Sequence, residues 1–315
     1  MNYLIDPIAE KHLNTYIEAT GIFKNCLKLL RDESKADFTP LKDKLKEIIS
    51  ILKESDRYLM GIANTPYQVL LRKCQISESE MDIILYGLNL AIYSLSISID
   101  IGVPEEHLIY IAMVSVCNHI GYLNSQPSNP NEITDTTEIN KKDLQNSFPK
   151  IVIDGLDMDS LALLSGLMND DKLITTKTSV QESMYQYAII VSLCNSYEKL
   201  MHKTLNGKYL PPAEAMKLMR NDMNGYFNKN IIKIFFNKFS VFPIGSFVKL
   251  NTKETAKIVE INDGFVMRPV VMVVLDSDDL EKIPPVRINL KEKPTLYIKN
   301  SILDEMLSEK YLTLF

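Results

Sequence analysis

Apolar residues recur at Leu88, Ile92, Leu95 and Ile99, and again at Ile109, Met113, Val116 and Ile120. Each set forms one continuous stripe at helical spacing, so residues 82–123 predict two buried helices. Gly102 is a stop for the first. Pro104, followed by Glu105 and Glu106, opens the second, because proline presets φ and carboxylates suit the positive end of a helix. The pair is then an antiparallel hairpin around which the chain is organised. Ser77 and Glu80 stand at capping-box spacing just ahead of it. Residues 83–99 carry no charge, which touches the lower length limit of a membrane span. Asn89, Ser94, Ser96 and Ser98 interrupt that run and no basic cluster marks an inside end. A core helix is therefore expected, and no membrane span.

Residues 1–75 read as all helix, with breaks around Asp32–Phe38 and Asn64–Pro66. Thr39 and Pro40 suit the start of a helix running through Met60, with Leu45, Ile48, Ile49, Leu52 and Leu59 on its apolar face. After Leu123 the chain turns polar and reads as a surface loop. Apolar patterning returns over 148–170, broken by Gly155 and Gly166. A helix is predicted from about Val180 onward with Ile190, Leu193, Tyr197 and Leu200 in its stripe. Pro211 and Pro212 begin another. From Gly245 the period changes to two, through Val248 and Leu250, then Ile258, Val259 and Ile261, then the runs PVVMVVL and VRINL. Asn262-Asp263-Gly264 is a turn signal between two of these runs. The expected architecture is mainly α, in three parts: a helical lead-in over 1–75, a helical domain over 76–242, and a small antiparallel β appendage with a terminal helix or tail over 243–315.

Composition narrows the class. With 46% hydrophobic and 24% charged residues, the 315-residue chain is an ordinary globular protein and not a disordered one. A net charge of −5 and dispersed lysine and arginine argue against nucleic acid as a partner, since phosphate tracking needs a clustered positive field. The N-terminus lacks a basic region followed by an apolar run, and Cys26, Cys74, Cys117 and Cys194 lie far apart without CxxC spacing. Reduced thiols in a cytoplasmic protein are the expectation.

The order of these parts, with YGLNLAIYSLSI, CNHIGYL, IIVSLCNSYEKL, FPIGSFVKL and RPVVMVVLD as its landmarks, resembles the HD-GYP family of bacterial cyclic di-GMP phosphodiesterases. The resemblance covers roughly residues 17–300 and implies an HD-domain helical bundle. Members of that family hold two or three metal ions on histidines and aspartates to activate water. Tyr86 falls on the family's first histidine, Asn118 and His119 on its His-Asp pair, Phe148 on a later histidine, and Asn195 on the late metal-binding aspartate. Tyr86 and Asn118 are 32 residues apart, which suits the family register. The double histidine and Gly-Tyr-Pro loop have no counterpart. Phe242, Pro243, Gly245, Arg268, Pro269 and Val270 match in the C-terminal part.

Iron, manganese or zinc clusters need imidazoles and carboxylates that converge. The chain has four histidines, His12, His107, His119 and His202, and only His119 falls on a family site position. A phenol must lose a proton with a pKa near about 10 before it ligates well, phenylalanine cannot ligate, and amide oxygens suit such metals poorly. The resemblance therefore implies no catalytic residue, no metal and no cofactor. His119 reads either as a hydrogen-bonded core histidine or as a surviving ligand. Tyr86 and Phe148 read as aromatic filling, and Asn118, Asn195 and Tyr86 as a polar core network. Asp154, Asp157, Asp159, Asp170 and Asp171 form a loose acidic cluster, either solvated helix-start carboxylates or a weak divalent-ion site. The expected function is a catalytically inactive binding, regulatory or scaffold component linked to cyclic di-GMP signalling, with a protein partner or self-association. A cyclic di-GMP receptor without hydrolysis and a phosphodiesterase with a rearranged site are the alternatives.

Overall fold

Among the described residues up to 239, most of the apolar spacing becomes helix. The computed structural model describes residues 6–32, 35–120, 151–168, 182–202, 204–205, 208–222 and 229–315. The elements in order are α1 (Pro7–Asp32), β1 (Ala36–Asp37), α2 (Thr39–Glu54), α3 (Arg57–Ala63), α4 (Tyr67–Cys74), α5 (Glu78–Asp100), α6 (Glu105–Cys117), β2 (Ile151–Val152), α7 (Met158–Met168), α8 (Glu182–Met201), β3 (Thr204–Leu205), β4 (Lys208–Tyr209), α9 (Pro212–Asp222) and α10 (Lys229–Phe239). There follow β5 (Phe247–Leu250), β6 (Thr255–Glu260), β7 (Val270–Leu275), β8 (Glu281–Asn289), β9 (Ile298–Ile302) and α11 (Glu305–Lys310). The protein is mainly helical with a C-terminal antiparallel five-stranded sheet. It divides into two compact units, one of residues 1–16, 55–73 and 196–315, the other of residues 17–54 and 74–195.

The second unit is built on α5 and α6. Residues Ile83–Ser98 of α5 are buried on every side, which is what a helix apolar all round requires. Although α5 is long and apolar enough to cross a membrane, 89% of its most apolar window is buried inside the fold. The Glu80 carboxylate accepts from the Ser77 backbone N–H at 3.2 Å and from the Ser77 hydroxyl at 2.8 Å, closing the N-terminus. At the other end Gly102 takes φ +77°. The Gly102 N–H reaches the Ile99 carbonyl at 3.1 Å and the Val103 N–H reaches that of Ser98 at 2.9 Å. This pair of bonds is a Schellman cap, and the left-handed residue it needs is a glycine. Gly87 sets the separation of α5 from α6. A Cβ there would lie 2.7 Å from the Val116 carbonyl oxygen and 3.0 Å from the Val116 Cα.

Three expectations change. The helix read through Met60 ends at Glu54, and α3 begins after Ser55 and Asp56, two residues that favour caps over helix interiors. The lead-in is not all helix, because Ala36–Asp37 pairs in parallel with Ile151–Val152. That junction is tied by the Phe38 N–H to the Val152 carbonyl at 2.8 Å and by the buried Lys42 ammonium to the Asp154 carbonyl. Gly166 does not break the pattern but lies within α7, where the propensity cost of one glycine is only about 1 kcal/mol.

In the first unit the sheet runs β8-β7-β6-β5-β9 with every pair antiparallel. Asn262–Gly264 lies in the β6–β7 connection, with Gly264 at φ +72°. Alternation puts Val248, Ile258, Val271 and Val273 on one face with Phe242, and Phe247, Val259, Val270 and Val274 on the other with Tyr311 and Leu314. The outer strand β8 carries Pro284 and Pro285, which lack an N–H and are placed where no ladder bond is lost.

Candidate functional site

Three helices of the second unit bring four of the five site residues named from the sequence together. Tyr86 comes from α5, Asn118 and His119 follow the last residue of α6, and Asn195 comes from α8. Because Gly87 lets the two backbones approach, Tyr86 is held against the end of α6. The Tyr86 hydroxyl donates to Asn195 Oδ1, and Asn118 Nδ2 donates to the same oxygen at 3.1 Å. The His119 ring stacks on the Tyr86 ring, with centroids 3.6 Å apart and planes 16° from parallel. His119 Nδ1 lies 2.9 Å from the Asp82 carbonyl oxygen. A carbonyl only accepts, so Nδ1 carries the hydrogen. Tyr86, Asn118 and His119 are buried and Asn195 is half-buried. Phe148 lies outside the described residues.

The chemistry of this cluster is that of a neutral polar network. The amide oxygen of Asn195 takes two donors, which uses both its lone pairs. The set offers one imidazole, two carboxamides and a phenol, and no carboxylate. Those donors do not fit a two- or three-metal cluster, which needs several imidazoles and anionic oxygens at one point. Among the described residues no three His, Cys, Asp or Glu side chains converge.

The other histidines serve packing. His12 meets Tyr58 edge-to-face, with centroids 5.2 Å apart. His107 sits in the first turn of α6, with Nδ1 2.9 Å from the Tyr187 hydroxyl. His202, in the first unit, stacks on Tyr67 with centroids 3.6 Å apart. Burial pushes its pKa down to about 3, so its Nε2, 3.5 Å from Glu198 Oε2, forms no ion pair near neutrality. Glu198 is fully buried and accepts from the Tyr67 hydroxyl. Its position beside Tyr197 was visible in the sequence, but its partner Tyr67 is 131 residues distant, and no local signal links the two. In the acidic cluster, Asp157 accepts from the Asp159 N–H at 3.0 Å and from the Ser160 hydroxyl. These contacts hold its carboxyl below the usual range and make it a cap of α7. Asp170 and Asp171 lie outside the described residues.

Residues 247–310 match the family described as KOW domain associated with HD domain. The matched segment is the five-stranded sheet with α11, and it marks the chain as HD-domain-associated. No curated protein and no solved structure matches the chain significantly.

Proposed function

We propose that the chain is a catalytically inactive HD-GYP-like protein that serves as a binding, regulatory or scaffold component linked to bacterial cyclic di-GMP signalling in the cytoplasm. The observation that carries this reading is the Tyr86–Asn118–Asn195 network with His119 stacked against it. At the positions where the resembled family places metal ligands, these side chains bind one another through neutral contacts. Without a metal there is no hydroxide at neutral pH, and hydrolysis of a phosphodiester loses its nucleophile. The HD-associated C-terminal match supports the same reading from a separate part of the chain. The partner in this reading is another protein or a second copy of the chain.

Three measurements on the full chain test it. Metal analysis after purification without chelator is expected to give well below one equivalent of iron, manganese or zinc, and a phosphodiesterase assay with added manganese no turnover of cyclic di-GMP. Calorimetric titration to high micromolar cyclic di-GMP is expected to give no heat. Stoichiometric metal with turnover would overturn the reading in favour of a rearranged enzyme. Saturable heat without turnover would replace it with a non-hydrolysing receptor.

A further inference from the structure

Lys257 stands in the middle of β6 with 2% of its surface exposed, a burial that lysine rarely reaches unless its ammonium is fully partnered. Its cross-strand neighbours are the apolar Phe247 on β5 and Met272 on β7. Its Nζ lies 2.8 Å from the carbonyl oxygen of Tyr311, 3.0 Å from that of Leu312 and 3.0 Å from that of Leu314. The Phe315 ring closes the remaining side, with its centroid 3.9 Å from Nζ.

The match is one of counting. An ammonium has three N–H donors, one for each of the three carbonyls, whereas a neutral amine has two and would leave one of these contacts unmade; the Tyr311 carbonyl also accepts from the Leu314 N–H at 3.1 Å. Those carbonyls belong to Tyr311, the C-cap of α11, and to Leu312 and Leu314 just beyond it, and the negative end of a helix favours a cation nearby. Burial pushes the ammonium down to about 7, and the carbonyls and the ring face, all of which favour the charged form, act against that. The intervening Thr313 carbonyl accepts from the Asp6 N–H at 3.1 Å. Phe315 in turn rests over Gly61, where a Cβ would overlap its ring, and meets Tyr58 edge-to-face at 5.1 Å.

We propose that Lys257 is the latch of a strap, residues 311–315, that closes one apolar face of the sheet and opens as a unit when the latch is removed. The sheet does not need the strap to hold together. Its ladders run β8 to β9 without it, and the opposite face has its own core around Phe242, Val248, Ile258 and Val271. The face beneath the strap, with Val259, Val270 and Val274, would then be uncovered.

Lys257→Met keeps the length of the side chain and removes its donors. Hydrogen exchange read by mass spectrometry on the full chain is expected to show amides 311–315 exchanging about tenfold faster than in the wild type, while those of β6 and β7 stay protected. An environment-sensitive apolar dye should bind the variant more strongly. Phe315→Ala, which leaves the lysine and its carbonyls in place, should keep the strap protected to within about threefold. The proposal is overturned if amides 311–315 of Lys257→Met exchange as in the wild type. It is equally overturned if the sheet loses protection together with the strap, if that variant fails to fold, or if Phe315→Ala opens the strap as fully.

Discussion

Replacing Gly87 by alanine isolates the contact on which the candidate site is built. In an open helix this change gains about 1 kcal/mol from propensity. Here the added Cβ would fall 2.7 Å from the Val116 carbonyl oxygen, 3.0 Å from the Val116 Cα and 3.2 Å from the Phe23 ring. Ordinary contact begins near 3.4 Å, so α6 must retreat by roughly 0.7 Å, and its backbone has no rotamer with which to yield. Overpacking of this kind costs about 1–3 kcal/mol, with a backbone clash at the upper end, so the net loss is about 1–2 kcal/mol. Gly21, in α1, has nothing within 4 Å of its would-be Cβ, and Gly21→Ala is expected to gain about 0.5–1 kcal/mol. Urea unfolding of the two variants beside the wild type should move the midpoints in opposite directions at an unchanged slope. A Gly87→Ala protein as stable as the Gly21→Ala protein would refute the close approach of α5 and α6, and with it the placement of Tyr86 against Asn118.

Tyr86→Phe removes one of the two donors on Asn195 Oδ1 while the ring stays stacked on His119. A loss of about 1 kcal/mol is expected in the same unfolding assay, and no loss would show that the hydroxyl contact is not made. His202 gives a pH signature. Its folded pKa, about 3, lies below the value of about 6.5 it takes in the unfolded chain, so only the unfolded state binds this proton between those limits. Its contribution is complete above about pH 6.5 and declines as pH falls towards about 3, with a limiting slope of about 1.4 kcal/mol per pH unit. His202→Phe should flatten the stability profile over that window relative to the wild type, and parallel profiles would show that the ring titrates normally.

The sequence made helix α5 and its ends legible because each end is a local device: Ser77 with Glu80 at one, Gly102 at the other. It made the period change after Gly245 legible for the same reason, since alternation is a property of neighbouring residues. The two-residue strand at Ala36–Asp37 was not legible, because its partner Ile151–Val152 lies far along the chain and two residues have no periodicity. Nor was β9, whose residues Ile298–Ile302 alternate weakly at the sheet edge. Of the candidate site, the positions Tyr86, Asn118, His119 and Asn195 came from register, whereas the bonds among them depend on the approach at Gly87, which a sequence records only as a small residue. The role of Lys257 was not legible either, since three backbone carbonyls leave no mark in the side-chain pattern.

The unit that contains the sheet also contains residues 1–16 and 55–73. During synthesis those early helices leave the ribosome long before the strands they share a core with. At translation speeds of about 5–20 residues per second, the interval between residue 73 and the last strand is roughly 10–50 s. Over that time Gly61 and Asn64 await their neighbours around Ile244 and Phe315, and the apolar surface of the newborn helices is open to chaperones. A translation product stalled before residue 244 would lack both the Ile244 carbonyl to which Asn64 donates and the Phe315 ring that packs over Gly61.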